Sequence, residues 1–102
     1  MKNVVVLFGG RSVEHEVSII TGILTANAID KNVYNVFPIY IDQNGVWRYD
    51  EKITFDVDAL NKADKSKLKK VTFISGNNML FEVKGKKLKQ ITGAFQAAPC
   101  AE

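Results

Sequence analysis

Five side chains between positions 12 and 18 could do chemistry: Ser12, Glu14, His15, Glu16 and Ser18. They follow two adjacent glycines, Gly9 and Gly10, which close a short apolar run, Val4 to Phe8. Adjacent glycines let a backbone turn sharply and approach a ligand closely. A scaffold turn needs only the glycines, so the polar density after them calls for a chemical reading.

Several chemistries are excluded by spacing. Glu14 and Glu16 stand two apart on a predicted helix and do not face each other, so they are not an acid/base pair. A metal centre needs several ligands at coordinating distance, and the chain has one His and one Cys, His15 and Cys100, at opposite ends. Neither G-x-G-x-x-G nor G-x-x-x-x-G-K-S/T occurs, so a dinucleotide fingerprint and a phosphate loop lack support. Two readings of Glu14 stay open. It is a solvated first-turn acid, favoured by about 0.3–1 kcal/mol through the helix dipole, or it projects over the strand end and binds a cationic group of a small ligand. His15 reads most simply as a surface or hydrogen-bonded residue.

The elements that must position these residues follow from periodicity. Val4 to Phe8 is apolar throughout and rich in β-branched residues, as in a strand buried on both faces of a parallel sheet. Val13 to about Ile29 reads as a helix with Ser12 as its N-cap. Val17, Ile20, Leu24 and Ala28 form its predicted apolar stripe, widened by Ile19, Ile23 and Ala26. Glu14, Ser18, Thr21 and Thr25 form its polar one. Val33 to Ile41 is the second strand, and Pro38 predicts an irregularity or an edge position late in it. Strand, helix and strand make a βαβ unit, whose ligands gather where the carboxyl end of a strand meets the amino end of a helix.

Asp42-Gln43-Asn44-Gly45 is a hairpin signal. Val46 to Tyr49 pairs back, with Trp47 as a packing residue. Lys52 to Lys70 has mixed periodicity and carries no assignment. Val71 to Ser75 is a short strand ending at Gly76-Asn77-Asn78. Met79 to Val83 and Leu88 to Thr92 make a second hairpin around Lys84-Gly85-Lys86. The tail from Ala94 to Glu102 lacks a pattern.

A chain of 102 residues, 46% hydrophobic and 25% charged, fits a single globular domain over residues 1–102. The net charge of +3 comes with two lysine clusters, Lys62 to Lys70 and Lys84 to Lys89. Aspartates 56, 58 and 64 interrupt or flank the first, and the second reads as a solvated hairpin edge. No nucleic-acid reading motif accompanies them. One cysteine excludes an intramolecular disulfide and fits a reducing compartment. The N-terminal apolar run is too short for a signal-peptide core or a membrane span. The expectation is a cytoplasmic protein with neither nucleic acid nor membrane as partner.

The stretch Val5 to Ser18, VVLFGGRSVEHEVS, resembles the amino-terminal signature of the D-alanine–D-alanine ligases of the ATP-grasp superfamily, G-G-x-S-x-E-x-E-V-S at the end of the first strand. Tyr34 to Asp42, with Asn44-Gly45-Val46-Trp47, is similar to the family's second strand and following hairpin. The resemblance implies an α/β fold: a Rossmann-like, pre-ATP-grasp open parallel sheet with flanking helices and appended β-hairpins, incomplete at the C-terminus.

For the parent enzyme the resemblance implies ATP-dependent joining of two D-alanines through an acylphosphate, with Mg2+ (or Mn2+), in peptidoglycan synthesis, cell-wall biogenesis and maintenance of cell shape. Glu14 would bind the ammonium of the first D-alanine and Val17 would line the pocket for its methyl group. Gly9 and Gly10 would permit close backbone approach, while Ser12 and Ser18 would hold the loop and the helix start. No catalytic role falls to His15 and no metal ligand to this stretch. The family's His-Gly turn, central domain and nucleotide domain are not in the sequence through Glu102. The expectation is a fragment that neither catalyses nor binds cofactor alone, partnered by D-alanine, the rest of the ligase chain and, in the parent, a second copy as a homodimer. D-lactate or D-serine as second substrate stays open, as does a reading from another class, a stand-alone non-catalytic α/β binding module.

Overall fold

The computed structural model describes residues 2–11, 13–73, 79–93 and, as backbone, 95–99. Strand β1 (Lys2–Gly9) contains the predicted apolar run, and Val4, Val5, Val6 and Phe8 are buried. Helix α1 (His15–Ala28) leads to β2 (Tyr34–Ile41), which pairs in parallel with β1 from Lys2–Tyr34 to Gly9–Ile41. The Asn-Gly hairpin then returns as β3 (Trp47–Tyr49), antiparallel to β2. A 3-10 turn (Ile53–Phe55), a short helix α2 (Val57–Lys62) and a second 3-10 turn (Lys65–Lys67) precede β4 (Lys69–Phe73). The second predicted hairpin forms β5 (Leu80–Lys84) and β6 (Lys87–Gln90), and β7 (Phe95–Pro99) ends the sheet.

The seven strands make one mixed sheet in the order β6-β5-β4-β3-β2-β1-β7. Its parallel part is β2-β1-β7, and β3 to β6 extend it antiparallel. Pro38 lies inside β2 opposite Val6, at a level that the Tyr40 and Ile41 pairing with β3 does not reach.

Opposite faces of β1 and β2 enter different cores. Val4, Val6, Phe8, Val36 and Tyr40 pack beneath α1, the first 3-10 turn and α2. Val5, Leu7, Phe37 and Ile39 pack with Tyr49, Val71, Leu80 and Ile91. The second packing requires a curled sheet. Gln90 and Phe95 are five Cα steps apart, at most about 18 Å of chain, yet seven flat strands would separate β6 from β7 by about 29 Å. Ile91 and Thr92 make the return, both donating N–H to the Leu80 carbonyl, and the Leu80 N–H donates to Thr92 Oγ1.

The helix buries the residues that widen the predicted apolar stripe and leaves the centre of that stripe outside. His15, Ile19, Gly22, Ile23 and Ala26 face the sheet, whereas Val17 (60% exposed), Ile20 (49%) and Leu24 (64%) face outward with Val13. Both stripes are apolar, so composition could not choose between them. Gly22 decides, because only its face lets the helix axis approach β1. A Cβ there would stand 2.3 Å from Phe8 Cβ and 2.5 Å from its Cγ. Gly22→Ala should therefore destabilise the chain, despite a helix-propensity gain of up to about 1 kcal/mol, because overpacking costs about 1–3 kcal/mol. Thermal unfolding should show a midpoint lower by several degrees; an unchanged or raised midpoint would mean that the helix is not seated on Phe8.

Two elements escaped the sequence reading. Helix α2 falls in the stretch without assignment, where Asp56 caps it by accepting from Ala59 N–H at 3.2 Å and Leu60 is fully buried. The patternless tail supplies β7, in parallel register with β1 from Asn3–Phe95 to Leu7–Pro99. The predicted end of the fourth strand at Ser75, its turn Gly76-Asn77-Asn78, and Cys100 lie outside the described residues. Among the described residues no helix is long and apolar enough to cross a membrane.

Candidate functional site

The three parallel strands β2, β1 and β7 bring their carboxyl ends, Ile41, Gly9 and Pro99, to one edge. The chain leaves β1 through α1 to reach β2 on one side, and reaches β7 on the other. That is a topological switch point, where open α/β sheets place their ligand crevice. The glycine pair sits on it.

Both glycines have left-handed backbones, φ +91° at Gly9 and +92° at Gly10. The Gly10 N–H donates to the Ile41 carbonyl at 2.7 Å, and the Gly9 N–H donates to Ser18 Oγ at 2.9 Å. A Cβ on Gly9 would lie 2.4 Å from the Ile41 oxygen, while one on Gly10 meets nothing within 4 Å. The turn is thus pressed against β2 on one side and open on the other. Arg11 Nη2 donates to the Asn44 carbonyl at 3.0 Å, tying the loop to the β2–β3 hairpin. That hairpin is itself fixed by Asp42, whose Oδ1 accepts from the Asn44 and Val46 N–H groups.

His15 is buried, at 6% exposure. Its Nδ1 bonds to the Gly10 carbonyl and its Nε2 to the Tyr40 hydroxyl at 2.9 Å. Burial, followed by the charges of Asp42 and Glu16, raises the pKa of Tyr40 above that of an ordinary tyrosine, so Tyr40 is a neutral hydroxyl at neutral pH. The hydrogen-bonded reading of His15 therefore applies to a buried residue rather than a surface one.

Glu14 is the N-cap of α1, with φ −97° and ψ 26°; its carbonyl accepts from Ser18 N–H at 2.8 Å, and its carboxylate makes no capping bond. Glu16 is the acid of the first turn. This corrects the prediction of a Ser12 cap with Glu14 inside the helix. His15 is the first helical residue, and its ring bonds to Gly10 and Tyr40 anchor the helix start. Ser12 itself lies outside the described residues. Glu14 and Val17 are both exposed at this helix entry, with Gly9, Gly10 and Ser18 beside them. Thr21 and Thr25 donate to helix carbonyls four residues back. Sequence reasoning did not find Tyr40, Ile41, Arg11 or Asn44. Tyr40 carried the only usable signal, a polar tip within the apolar run from Val36 to Ile41. Among the described residues no three His, Cys, Asp or Glu side chains gather to hold a metal.

Residues 3–99 match the family described as D-ala D-ala ligase N-terminus. The chain belongs to that family. A curated D-alanine–D-alanine ligase of Thermosipho melanesiensis is 40% identical over 98 residues, which are 93% of this chain and 27% of the relative. Among solved structures, the D-alanine–D-alanine ligase of Helicobacter pylori shares the fold with a TM-score of 0.71 at 24% identity, covering 95% of this chain and 29% of that one. The VanG D-Ala:D-Ser ligase of Enterococcus faecalis also gives 0.71, at 21% identity over 96% of this chain and 28% of that one. The chain thus spans little more than a quarter of these relatives' length. In this member of the D-ala D-ala ligase N-terminus family, the Gly9-Gly10 turn and the start of α1 lie at the carboxyl end of β1.

Proposed function

We propose that this domain binds the first D-alanine of an ATP-dependent D-alanine–D-alanine ligase, whose dipeptide product serves peptidoglycan synthesis in the cytoplasm. The observation that carries the reading is the place of Glu14. It stands at the amino end of α1 beside the left-handed Gly9-Gly10 turn, in a chain of the D-Ala–D-Ala ligase N-terminal family. An ammonium taken out of water needs a charged partner, and Glu14 offers one at the crevice. Val17, exposed three residues along the helix, offers an apolar wall for a methyl group. Gly9 and Gly10 leave no side chain between the strand end and the ligand, and Ser18 holds the turn through the Gly9 amide.

ATP with Mg2+ (or Mn2+) supplies the γ-phosphoryl group that turns the first D-alanine's carboxylate into an acylphosphate, from which the second D-alanine's amine displaces phosphate. On this reading nucleotide and metal are held by the rest of the parent chain. The domain's task is to orient the first substrate, so that the remainder of the enzyme meets a fixed carboxylate. The outward stripe Val13, Val17, Ile20 and Leu24 is apolar surface available to the parent's other domains or to the second copy of a homodimer.

The test is an assay of the full-length protein that carries this chain. Phosphate release should require both ATP and D-alanine, and the product should be D-alanyl-D-alanine, with D-lactate and D-serine poor replacements for the second D-alanine. Absence of D-alanine-dependent phosphate release would remove the reading, and preference for another second substrate would move it to a sister activity.

A further inference from the structure

We propose that His15 and Tyr40 are positioning residues for the first substrate: the imidazole, held as its Nδ1–H tautomer, clamps the Gly10 peptide to the helix entry that carries Glu14. The positioning role rests on the reading of Glu14 given above.

Hydrogen-bond roles fix the tautomer. The Gly10 carbonyl can only accept, so Nδ1 must carry a proton. In the neutral ring Nε2 is then an acceptor, and the Tyr40 O–H donates to it. The result is a closed circuit. The Gly10 N–H donates to the Ile41 carbonyl, Ile41 follows Tyr40 in β2, Tyr40 donates to His15, and His15 donates back to the Gly10 carbonyl. Both backbone polar groups of Gly10, in successive peptide units, are therefore fixed, one by β2 and one by α1. Gly10 has no side chain to pack, and a Cβ there would meet nothing within 4 Å, so these bonds help set its orientation. His15 is covalently next to Glu14, their Cα atoms about 3.8 Å apart. A shift of the imidazole anchor therefore moves the carboxylate that meets the ammonium. A buried imidazole is also costly to leave unpaired, which keeps the circuit closed.

The test has a spectroscopic arm and a kinetic arm, both on the full-length protein that carries this chain. With histidine labelled in nitrogen-15, the His15 signal is identified by its loss in His15→Asn. At neutral pH the proton should reside on Nδ1; a proton on Nε2, or averaging between the two tautomers, overturns the clamp. In steady-state kinetics, His15→Ala should raise the KM for the first D-alanine about tenfold, the size of one buried hydrogen bond, and Tyr40→Phe, which keeps the Gly10 bond, should raise it by less, with the KM for ATP within about twofold in both. His15→Asn, whose amide nitrogen overlays Nδ1, should recover much of the loss, and His15→Gln, whose amide overlays Nε2, should not. Equal loss in Asn and Gln, or parallel changes in both KM values, would show a merely structural residue and overturn the positioning role. An active wild type with unchanged variants sinks this inference and leaves the ligase reading standing. A wild type that does not turn over D-alanine sinks the ligase reading, and the positioning role with it.

Discussion

On the proposed ligase reading, replacing Glu14 by glutamine in the full-length protein that carries this chain should raise the KM for the first D-alanine about 100-fold, roughly 2.7 kcal/mol, and leave the KM for ATP within about twofold. The magnitude follows from where the pair sits. An exposed ion pair contributes under about 1 kcal/mol, and breaking a fully buried one costs about 3–5 kcal/mol. In this domain the helix entry is exposed, so closure by the rest of the parent must supply the burial, and an intermediate loss is expected. Glutamine keeps the shape and one acceptor but removes the charge, so the ammonium loses its electrostatic partner without loss of packing. Fits that separate the two D-alanine sites are the relevant measurement. Unchanged kinetics would return Glu14 to a helix-end acid with no ligand.

Gly9→Ala should lower the stability of the chain by about 3 kcal/mol, the sum of a left-handed backbone penalty of about 1–2 kcal/mol and an overpacking penalty of about 1–3 kcal/mol. The new methyl would lie 2.4 Å from the Ile41 oxygen, which is backbone in a paired strand and cannot swing aside. Relief requires β1 and β2 to part at their carboxyl ends, which also loosens the Gly10–Ile41 bond and the mouth of the crevice. Gly10→Ala is the internal control. Its φ is the same within a degree, but it meets no neighbour, so only the backbone penalty applies. Thermal unfolding should place Gly9→Ala more than about 10 °C below wild type and Gly10→Ala clearly above Gly9→Ala. Equal midpoints would mean that the close approach to Ile41 does not constrain the turn.

Much of this architecture was legible because local and tertiary signals agree. Val4 to Phe8 is β-branched on both faces and becomes the buried parallel strand. Asn44-Gly45 sets the hairpin, with φ +85° at Gly45. Lys84-Gly85-Lys86 sits at the second turn, with φ +59° at Gly85. The illegible parts were decided by distant partners. Helix α1 has two apolar stripes, and its close fit to Phe8 chose the one with Gly22. The tail has no β-branched residue, and it becomes a strand because β1 offers an unpaired edge. Helix α2 is six residues long, too short for periodicity to speak, and only Asp56 marked its start. At the site, the ordered signature displayed Glu14, Gly9, Gly10 and Ser18, whereas Tyr40 joins them through a parallel register that no local pattern encodes.

The most direct measurement is a crystal structure of the full-length protein with D-alanine bound. The expected result is a ligand ammonium about 2.7–2.9 Å from a Glu14 carboxylate oxygen, at the carboxyl end of β1 and beside the Gly9-Gly10 turn. A ligand bound with its ammonium on another carboxylate, and Glu14 turned to solvent, would contradict the assignment of the first D-alanine to this helix entry.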